Sequence, residues 1–384
     1  MRFVAPLFLC IATLSFQTIF SQTKSRAAGE FYNRGLEKQA VNNLEGALAD
    51  YDKAIEFDPK FIDAYNNRAN VRMAKGDKAG ALADYTKAIE LNPKEFMSYY
   101  NRGVGEMNFG DMDAAIADFT KSIEISPTFA TGYNNRGNGF RAKGDLDAAI
   151  KDYTRAIELD MKSPFGYYNR ASALKDKGQL DAALADSNKA IEISPQFADA
   201  YYNRALIYED QKLTDKAIED LNRCLQLNPE NADGFYARGL AFQSKSESKA
   251  ALADFTKAIV LNPTLSGAYL ARGIIEKTNG DVSAALADYN RAIELDPNDA
   301  VVYVNRGIAR QEKGDVKGAI ADYTKAIELD PSSATAYANR GVSLLLTGRE
   351  EEAVRDFTRS FKLDPSLKPS FEIYLRKMKD RRAQ

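Results

Sequence analysis

Proline recurs along this chain at a fixed interval of 34 residues, and this period constrains the fold more than any other feature of the sequence. Met161 fills the one gap in a series whose members stand at positions 59, 93, 127, 195, 229, 263, 297, 331 and 365. With this residue set at position 32, residues 28–367 divide into ten units of equal length: 28–61, 62–95, 96–129, 130–163, 164–197, 198–231, 232–265, 266–299, 300–333 and 334–367. Such a period indicates a supersecondary unit that packs on its neighbours in a row.

Within each unit, the apolar positions predict two helices, A and B, separated by a short turn. Position 8 is Gly or Ala and position 20 is Ala in all ten units, so two helices are expected to approach closely there. Position 4 is always Tyr or Phe, and positions 20, 21, 24, 27 and 28 are apolar in most units and follow helical spacing. The turn Lys75-Gly76-Asp77 is typical, with Gly ending helix A and Asp starting helix B. Helix B is expected to end before the proline, which disfavours a helical conformation in the preceding residue.

These positions resemble the tetratricopeptide repeat family across residues 28–367. The resemblance implies an all-α fold, a right-handed superhelical solenoid of ten helix-turn-helix repeats. The chain departs from the family pattern in having Tyr or Phe instead of Trp at position 4, and Arg instead of Leu at position 7. Members of the family include co-chaperones, transport receptors, assembly factors and regulatory domains, so the resemblance implies a protein or peptide partner without identifying it.

The N-terminus has the pattern of a secretory signal peptide covering residues 1–21. Arg2 precedes an apolar run at residues 3–20, and Ser21 begins a polar stretch. We expect cleavage after Ser21 and export, with the mature protein in the bacterial periplasm or cell envelope. The alternative is that residues 3–20 stay attached and anchor the protein to a membrane, although the run contains proline and glutamine and makes a mediocre membrane span.

The C-terminus, residues 368–384, is predicted to form a capping helix and a basic tail. Phe371, Tyr374, Leu375 and Met378 recur at helical spacing, and the opposite face is charged. A repeat array needs such a polar-backed helix to cover the apolar face of its last unit. The basic residues are interpreted as the solvated side of this cap.

Composition argues against an enzyme, a cofactor, a metal site and a nucleic-acid partner. The chain has no His, the usual general base and a common zinc ligand, and only two Cys, Cys10 and Cys224. Its 52 basic and 54 acidic residues give a net charge of −2, without the basic excess that binds phosphates. No phosphate-binding loop or nucleophile elbow occurs, and the repeats leave no room for the catalytic domain of a hydrolase or transferase.

Two charged positions are invariant across the repeats. Position 7 is Arg in all ten units, from Arg34 to Arg340, and position 23 is Asp in all ten, from Asp50 to Asp356. One interpretation is a basic ladder that binds an acidic ligand. We predict instead that Arg and Asp pair within or between the helical hairpins, because a half-buried charge needs its counter-charge.

Asparagine at position 6 is the candidate for binding. It occurs in eight repeats, and Ala replaces it in two; the asparagines are Asn33, Asn67, Asn101, Asn135, Asn169, Asn203, Asn305 and Asn339. Tyrosines such as Tyr100 and Tyr168 precede it at position 5. A carboxamide both donates and accepts, so it can bind a peptide backbone without reading sequence. The pattern resembles the asparagine ladder in the repeat domain of O-GlcNAc transferase, which implies peptide binding in a groove lined by helices A. Two alternatives stay open: hydrogen bonding to a neighbouring helix, and inheritance by repeat duplication.

The predicted function is that of an exported protein–protein interaction scaffold or assembly factor, which binds an extended peptide or a partner surface in its concave groove. The alternative is a structural or self-associating spacer of the envelope that has no defined peptide ligand. The carboxylate clamp of heat-shock co-chaperones is absent, since position 5 is never Lys and position 2 is never basic.

The middle of the array is predicted to be its least stable part. Ser187 and Leu221 replace the aromatic residue at position 24, and the sixth and seventh repeats lack the glycine of the turn between helices A and B. Loss of most of a ring at a packed site costs roughly 3 kcal/mol. We therefore expect faster hydrogen exchange in residues 164–265 than in residues 62–163.

Overall fold

The computed structural model describes residues 25–371 and Tyr374 of the chain, and these residues form helices and turns without a strand. This confirms the predicted all-α fold. The predicted signal peptide at residues 1–21, and residues 372–373 and 375–384 of the predicted cap, lie outside the described residues. Within the described part, no helix has the length and apolar character needed to span a membrane.

The chain divides into two compact units, each a row of helical hairpins. The first unit extends to Pro195 and the second begins at Gln196. The first contains α1 (25–40), α2 (Leu44–Phe57), α3 (Ile62–Ala74), α4 (Lys78–Leu91), α5 (Phe96–Asn108), α6 (Met112–Ile125), α7 (Ala130–Ala142), α8 (Leu146–Leu159), α9 (Pro164–Asp176) and α10 (Leu180–Ile193). Successive odd and even helices pair as helix A and helix B of hairpins 1 to 5.

The second unit contains hairpins 6 to 10, numbered in the same way. Its helices are α11 (Ala198–Asp210), α12 (Thr214–Leu227), α13 (Ala232–Ser244), α14 (Ser248–Leu261), α15 (Ser266–Thr278), α16 (Val282–Leu295), α17 (Ala300–Glu312), α18 (Val316–Leu329), α19 (Ala334–Leu346) and α20 (Glu350–Leu363). A short 3-10 turn, Pro365–Leu367, follows α20. Phe371 and Tyr374 then pack against the apolar core of hairpin 10.

The core of a hairpin is an aromatic ring from helix B laid against a small residue of helix A. In hairpin 4 the ring of Tyr153 is fully buried, and a Cβ added to Gly137 would lie 2.6 Å from its Cε1 atom. Ala149 at position 20 is also fully buried. The small residues at positions 8 and 20 therefore mark the hairpin contact, as predicted, and position 8 makes room for the ring at position 24.

The turn between helices A and B needs one residue in the left-handed region. Glycine supplies it in most hairpins, as Gly144 does in hairpin 4 with φ of 81°. Three hairpins place Asn42, Lys212 and Ser246 there instead, with φ of 58°, 61° and 62°. Because a side chain makes this conformation unfavourable, the last two positions carry local strain, while asparagine tolerates it better.

Candidate functional site

Each arginine at position 7 is bound by the aspartate at position 23 of its own hairpin. In hairpin 4, Arg136 donates from Nε and Nη2 to the two carboxylate oxygens of Asp152, at 2.7 and 2.8 Å. The same pairing occurs in all ten hairpins, and its other members are Arg34–Asp50, Arg68–Asp84, Arg102–Asp118, Arg170–Asp186, Arg204–Asp220, Arg238–Asp254, Arg272–Asp288, Arg306–Asp322 and Arg340–Asp356. The predicted Arg–Asp pairing is confirmed, and the pairs lie within hairpins.

The remaining nitrogen and the flat face of the same guanidinium are also occupied. Nη1 of Arg136 donates to Oγ1 of Thr120 in hairpin 3 at 3.1 Å. The guanidinium carbon lies 5.7 Å from the centre of the Tyr133 ring at position 4. Because the guanidinium is used on three sides, Arg136 is a structural residue that closes its hairpin and joins it to the preceding one.

Three of the predicted asparagines donate their amide to position 5 of the preceding helix A. In the first unit these bonds are Asn67 Nδ2 to Tyr32 Oη at 2.8 Å, Asn135 Nδ2 to Tyr100 Oη at 2.9 Å, and Asn169 Nδ2 to Asn134 Oδ1 at 3.0 Å. Hydrogen bonding to a neighbouring helix therefore does occur at position 6. It uses one side of each carboxamide and keeps the side chain in a fixed orientation.

The other predicted asparagines differ from this pattern. Asn33 is exposed and Asn101 is half-buried, and the side chain of neither residue forms a hydrogen bond within residues 25–371 and Tyr374. In the second unit Asn203 is buried with its Nδ2 unsatisfied, and Asn305 donates to the carbonyl of Val301 in its own helix at 2.9 Å. Asn339 is half-buried there. The eight residues are thus one sequence position with several environments.

A cavity of about 350 Å³ lies between helices α7 and α9 of the first unit, and it brings together two of the predicted residues. Its lining residues are Ala130, Thr131, Asn134, Asn135, Asn138, Ala156, Asp160, Ser163, Phe165, Gly166 and Asn169. Asn134 and Asn138 were not predicted as site residues. Their sequence signal is asparagine at positions 5 and 9 beside asparagine at position 6, a combination that the second and fourth repeats share.

The four asparagines of this cavity each use one half of their carboxamide for the protein itself. Oδ1 of Asn138 accepts from the Tyr153 hydroxyl at 2.8 Å, and Oδ1 of Asn134 accepts from Asn169. Asn135 and Asn169 use their Nδ2 groups, as described above. The unmatched atoms are therefore two donors, Nδ2 of Asn134 and Asn138, and two acceptors, Oδ1 of Asn135 and Asn169. Such a set can bind a group that both donates and accepts.

Tyr100 and Tyr168 accompany the asparagines in different ways. Tyr100 is half-buried, its ring meets that of Phe129 edge-on at 5.0 Å, and burial raises the pKa of its hydroxyl. Its hydroxyl therefore stays protonated and accepts the bond from Asn135. Tyr168 lies on α9 next to Asn169 and is half-buried. The backbone carbonyl of Tyr168 accepts a bond from the Ser172 hydroxyl at 3.1 Å.

Two half-buried carboxyl groups outside the cavity are perturbed, and sequence reasoning missed both. Burial, and then the negative charge of Asp118, raise the pKa of Glu106 to about 7, and Asp288 acts in the same way on Glu276, whose pKa is also about 7. Both residues occupy position 11, where hairpin 2 has Arg72 bound to Asp84. In the sequence, the replacement of a basic residue by Glu at position 11 is the feature that could have indicated these perturbed carboxyl groups.

The remaining cysteine and the acidic residues offer no reactive or metal-binding group in the described part. Burial raises the pKa of the Cys224 thiol to about 11, so little of the thiolate exists near neutral pH. Asn231 donates to its Sγ at 3.5 Å. Within residues 25–371 and Tyr374, no three acidic or cysteine side chains are arranged to hold a metal ion.

Comparison with known proteins gave matches to repeat families and to solved structures. Among curated protein sequences none matches this chain. Two models described as tetratricopeptide repeat match residues 62–95 and 198–231, and residues 98–129 and 334–367; one described as TPR repeat matches residues 40–76, 137–178, 171–212, 275–314 and 310–348. Together these matches cover more than half of the chain.

Three similar solved structures show the range of the likeness. The human IFIT1 dimer is 17% identical over 90% of this chain and 94% of its own, with a TM-score of 0.54. PilF of Pseudomonas aeruginosa is 19% identical over 54% of this chain and 94% of its own, with a TM-score of 0.51. YrrB, described as a TPR protein with an unusual peptide-binding site, is 28% identical over 48% of this chain and 95% of its own, with a TM-score of 0.41.

The first two structures share the helical repeat fold with this chain, and the repeat models match hairpins in both of its units. The observed hairpins agree with those matches, since each helix A from α3 onward begins at the first residue of a 34-residue unit. The chain therefore belongs to the tetratricopeptide repeat family.

Proposed function

We propose that this protein is a scaffold or assembly factor that holds an extended peptide segment of a partner protein along helices A of its first unit. Membership of the tetratricopeptide repeat family supports a role as a protein–protein interaction scaffold. The observation that carries the more specific proposal is the cavity between α7 and α9, where four asparagines present two unmatched donors and two unmatched acceptors.

The chemistry of a carboxamide suits a peptide backbone. An extended peptide presents N–H and C=O groups that its own chain does not satisfy, and one carboxamide can pair with both kinds. We place the centre of the binding site at Asn101, Asn135 and Asn169, which occupy the same position in three successive hairpins. Each bond contributes only about 0.5–1.5 kcal/mol, so several must act together to hold a partner.

The same proposal places the protein outside the cytoplasm, with residues 1–21 removed as a signal peptide. The support is the charged start and apolar run of the sequence. Mass spectrometry of the native protein should find an N-terminus near Gln22 in an envelope fraction. An intact N-terminus in a cytosolic fraction would refute export, and an intact N-terminus in a membrane fraction would favour an anchor at residues 3–20.

The test of peptide binding combines a selection and a capture. A random dodecapeptide library displayed on phage is selected on the purified protein, and the affinity of a selected peptide is measured by fluorescence polarisation. The triple substitution of Asn101, Asn135 and Asn169 by Ala should weaken binding by about tenfold or more, since several bonds are lost while helix propensity rises slightly. Cross-linked capture from native envelope extract should lose the same partners.

A matched control separates binding from stability. Asn70→Ala removes an asparagine at position 9 of hairpin 2 whose Oδ1 accepts from the Tyr85 hydroxyl at 2.5 Å. This variant should bind the selected peptide as the wild type does, and the melting temperature of the triple variant should not fall below it. If the triple variant binds and captures as well as the wild type, the asparagines are packing residues. If the wild type selects no peptide and self-associates, the spacer function replaces the proposal.

A further inference from the structure

We infer that the cavity between α7 and α9 selects a carboxamide side chain, Gln or Asn, at one position of the bound peptide. The inference rests on the proposed function and adds sequence specificity to it. The backbone-binding asparagines are indifferent to sequence, whereas a cavity beside them admits one side chain and can reject others.

One side of the cavity lacks the aromatic ring that the preceding hairpin has at the same position. In hairpin 3, position 5 is Tyr100, whose ring packs against Phe119 and Phe129 with centroids 5.8 and 5.0 Å apart. In hairpin 4 the same position is Asn134, which still accepts a hydrogen bond from the next asparagine of the ladder, Asn169. The exchange of Tyr for Asn therefore keeps the ladder bond and omits the ring. The omitted volume contributes to a space of about 350 Å³, which is enough for one peptide side chain.

The hydrogen-bonding groups of the cavity match a primary amide. A ligand carboxamide would accept from Nδ2 of Asn134 or Asn138, and it would donate to Oδ1 of Asn135 or Asn169. An apolar side chain would leave all four groups unmatched, and an unmatched polar group in a partly desolvated site is unfavourable. A group with only acceptors, or only donors, would satisfy half of the set.

The charge of the lining separates the carboxamide from a carboxylate. Asp160 is the charged residue among those that line the cavity, and its Oδ1 already accepts the backbone N–H of Lys162 at 3.1 Å. An acidic ligand side chain would therefore meet a like charge without a lining cation. A basic side chain would be attracted by Asp160 but would face the two Nδ2 donors. The ring of Phe165, 56% exposed at the same cavity, offers apolar surface to the methylene groups of Gln.

The experiment uses a peptide selected as described above. The selected peptides should share Gln or Asn at one position, and replacement of that residue by Glu, Lys or Leu should weaken binding by about tenfold, which corresponds to about 1.4 kcal/mol. The variant Asn134→Tyr fills the cavity with the residue that hairpin 3 carries, and its hydroxyl can still accept from Asn169. This variant should bind the Gln, Glu and Leu peptides with similar, low affinity, because only the backbone contacts persist.

A second pair of variants controls for stability. Asn138 and Asn70 both occupy position 9, and both accept from the hydroxyl of a buried tyrosine in their own hairpin. Asn138→Ala should reduce the preference for Gln over Leu about fivefold, while Asn70→Ala should leave it unchanged. Equal affinity of the wild type for Gln, Glu, Lys and Leu peptides overturns the inference and leaves the proposed function intact. A preference for Lys or Arg overturns it in favour of Asp160, and failure to select any peptide overturns both proposals.

Discussion

Hairpin 4 and hairpin 6 make the same bond between arginine and aspartate and differ in most of what surrounds it. In hairpin 4 the turn glycine, Gly144, adopts a positive φ without strain, and Asp145 caps helix B by accepting from the N–H of Ala148 at 3.1 Å. Tyr153 fills the core of the hairpin against Gly137. Each local element of this hairpin supports the same structure.

In hairpin 6 the corresponding elements are weaker. Lys212 occupies the left-handed turn position, and Leu213 precedes helix B without a capping side chain. Leu221 replaces the ring and is fully buried, and Ala205, also fully buried, takes the place of the glycine across from it. The larger residue at position 8 thus offsets part of the lost ring volume at position 24.

The comparison separates the residues that define a hairpin from the residues that set its stability. The bond between positions 7 and 23 occurs in every hairpin, so it defines the hairpin itself. The turn residue, the helix cap and the ring vary, so they set how stable each hairpin is. Because each unit of a repeat array packs only on its neighbours, such differences should stay local.

The Arg–Asp bond should be equally important in both hairpins, and breaking it gives the largest effect. Arg136→Asp places two carboxylates together at a site where the wild-type Asp152 side chain is only 5% exposed. Breaking a buried ion pair in this way costs about 3–5 kcal/mol. Adding Asp152→Arg should restore part of the loss, and Arg204→Asp with Asp220→Arg should behave alike in hairpin 6. The free energy of unfolding in urea measures each variant.

The pairing is refuted if the double variant is no more stable than the sum of its single changes predicts. A much smaller loss of unfolding free energy in hairpin 6 than in hairpin 4 would contradict the comparison itself. It would mean that the bond depends on the ring and the turn around it, and is not the common element of the hairpins.

Raising the pH should reduce the stability of hairpins 2 to 4 relative to that of hairpins 6 and 7, because hairpin 3 contains Glu106. Its side chain is 14% exposed, and burial with the charges of Asp118 and Asp111 raises its pKa to about 7, against the favourable effect of Arg102. The folded chain therefore binds this proton more tightly than the unfolded chain. The resulting stability is complete below about pH 4.5 and is lost as the pH rises through 7, on the order of 3 kcal/mol in total.

The measurement is the free energy of unfolding between pH 5 and pH 8, and the control is Glu106→Gln. The glutamine cannot ionise, so this variant should lose less stability across the range than the wild type. Glu276 has a pKa of about 7 for the same reasons, so Glu106→Gln with Glu276→Gln should be flatter still. Hairpin 6 has Tyr208 at this position and should show no such dependence. Parallel pH profiles for the wild type and the double variant would contradict the assignment.

Hydrogen exchange tests the comparison directly. The sequence predicts faster exchange in residues 164–265 than in residues 62–163, and the structure concentrates the effect in residues 198–265, where the turn glycine and the side-chain cap of helix B are both missing. A missing cap costs about 1 kcal/mol, and left-handed strain costs about as much. We therefore expect roughly 10- to 100-fold faster exchange in hairpins 6 and 7 than in hairpins 2 to 4. Equal protection of the two regions would rule this out.

The repeat, the helices and the Arg–Asp pairs were predictable from the sequence because they are properties of single positions in a fixed period. The 34-residue interval places every helix A from α3 onward, and the matched invariance of Arg and Asp indicates a pair. The period could not say which hairpin supplies the aspartate. The geometry answers this, since Arg136 reaches Asp152 and not Asp118.

The candidate cavity was harder to predict because it depends on what is missing at a three-dimensional contact. Asn134 shares position 5 with Asn66 of hairpin 2, so its residue type alone does not indicate a cavity. It matters because a ring at this position would occupy space between two helices. The pKa of Glu106 depends on packing in the same way, since a solvated glutamate four residues from Arg102 would be ordinary. Position 6 was predicted as a binding position because asparagine recurs there, although its eight asparagines occupy several environments.

The smallest expected effect concerns the turns. It is tested by giving the weaker hairpins a glycine at the left-handed turn position and giving hairpin 4 a lysine there. Lys212→Gly and Ser246→Gly should each stabilise the protein by about 1 kcal/mol, because a non-glycine residue in the left-handed region costs about 1–2 kcal/mol and glycine regains most of it at some cost in chain entropy. Gly144→Lys should destabilise hairpin 4 by a similar amount.

Urea unfolding measures each change, and the rate at which a thiol reagent reaches buried Cys224 reports the opening of α12 in particular. Lys212→Gly should slow this reaction and Gly144→Lys should leave it unchanged, because the strain acts within one hairpin. If both substitutions alter the reaction of Cys224 alike, the stability differences spread through the array and hairpin 6 is not an independent weak point.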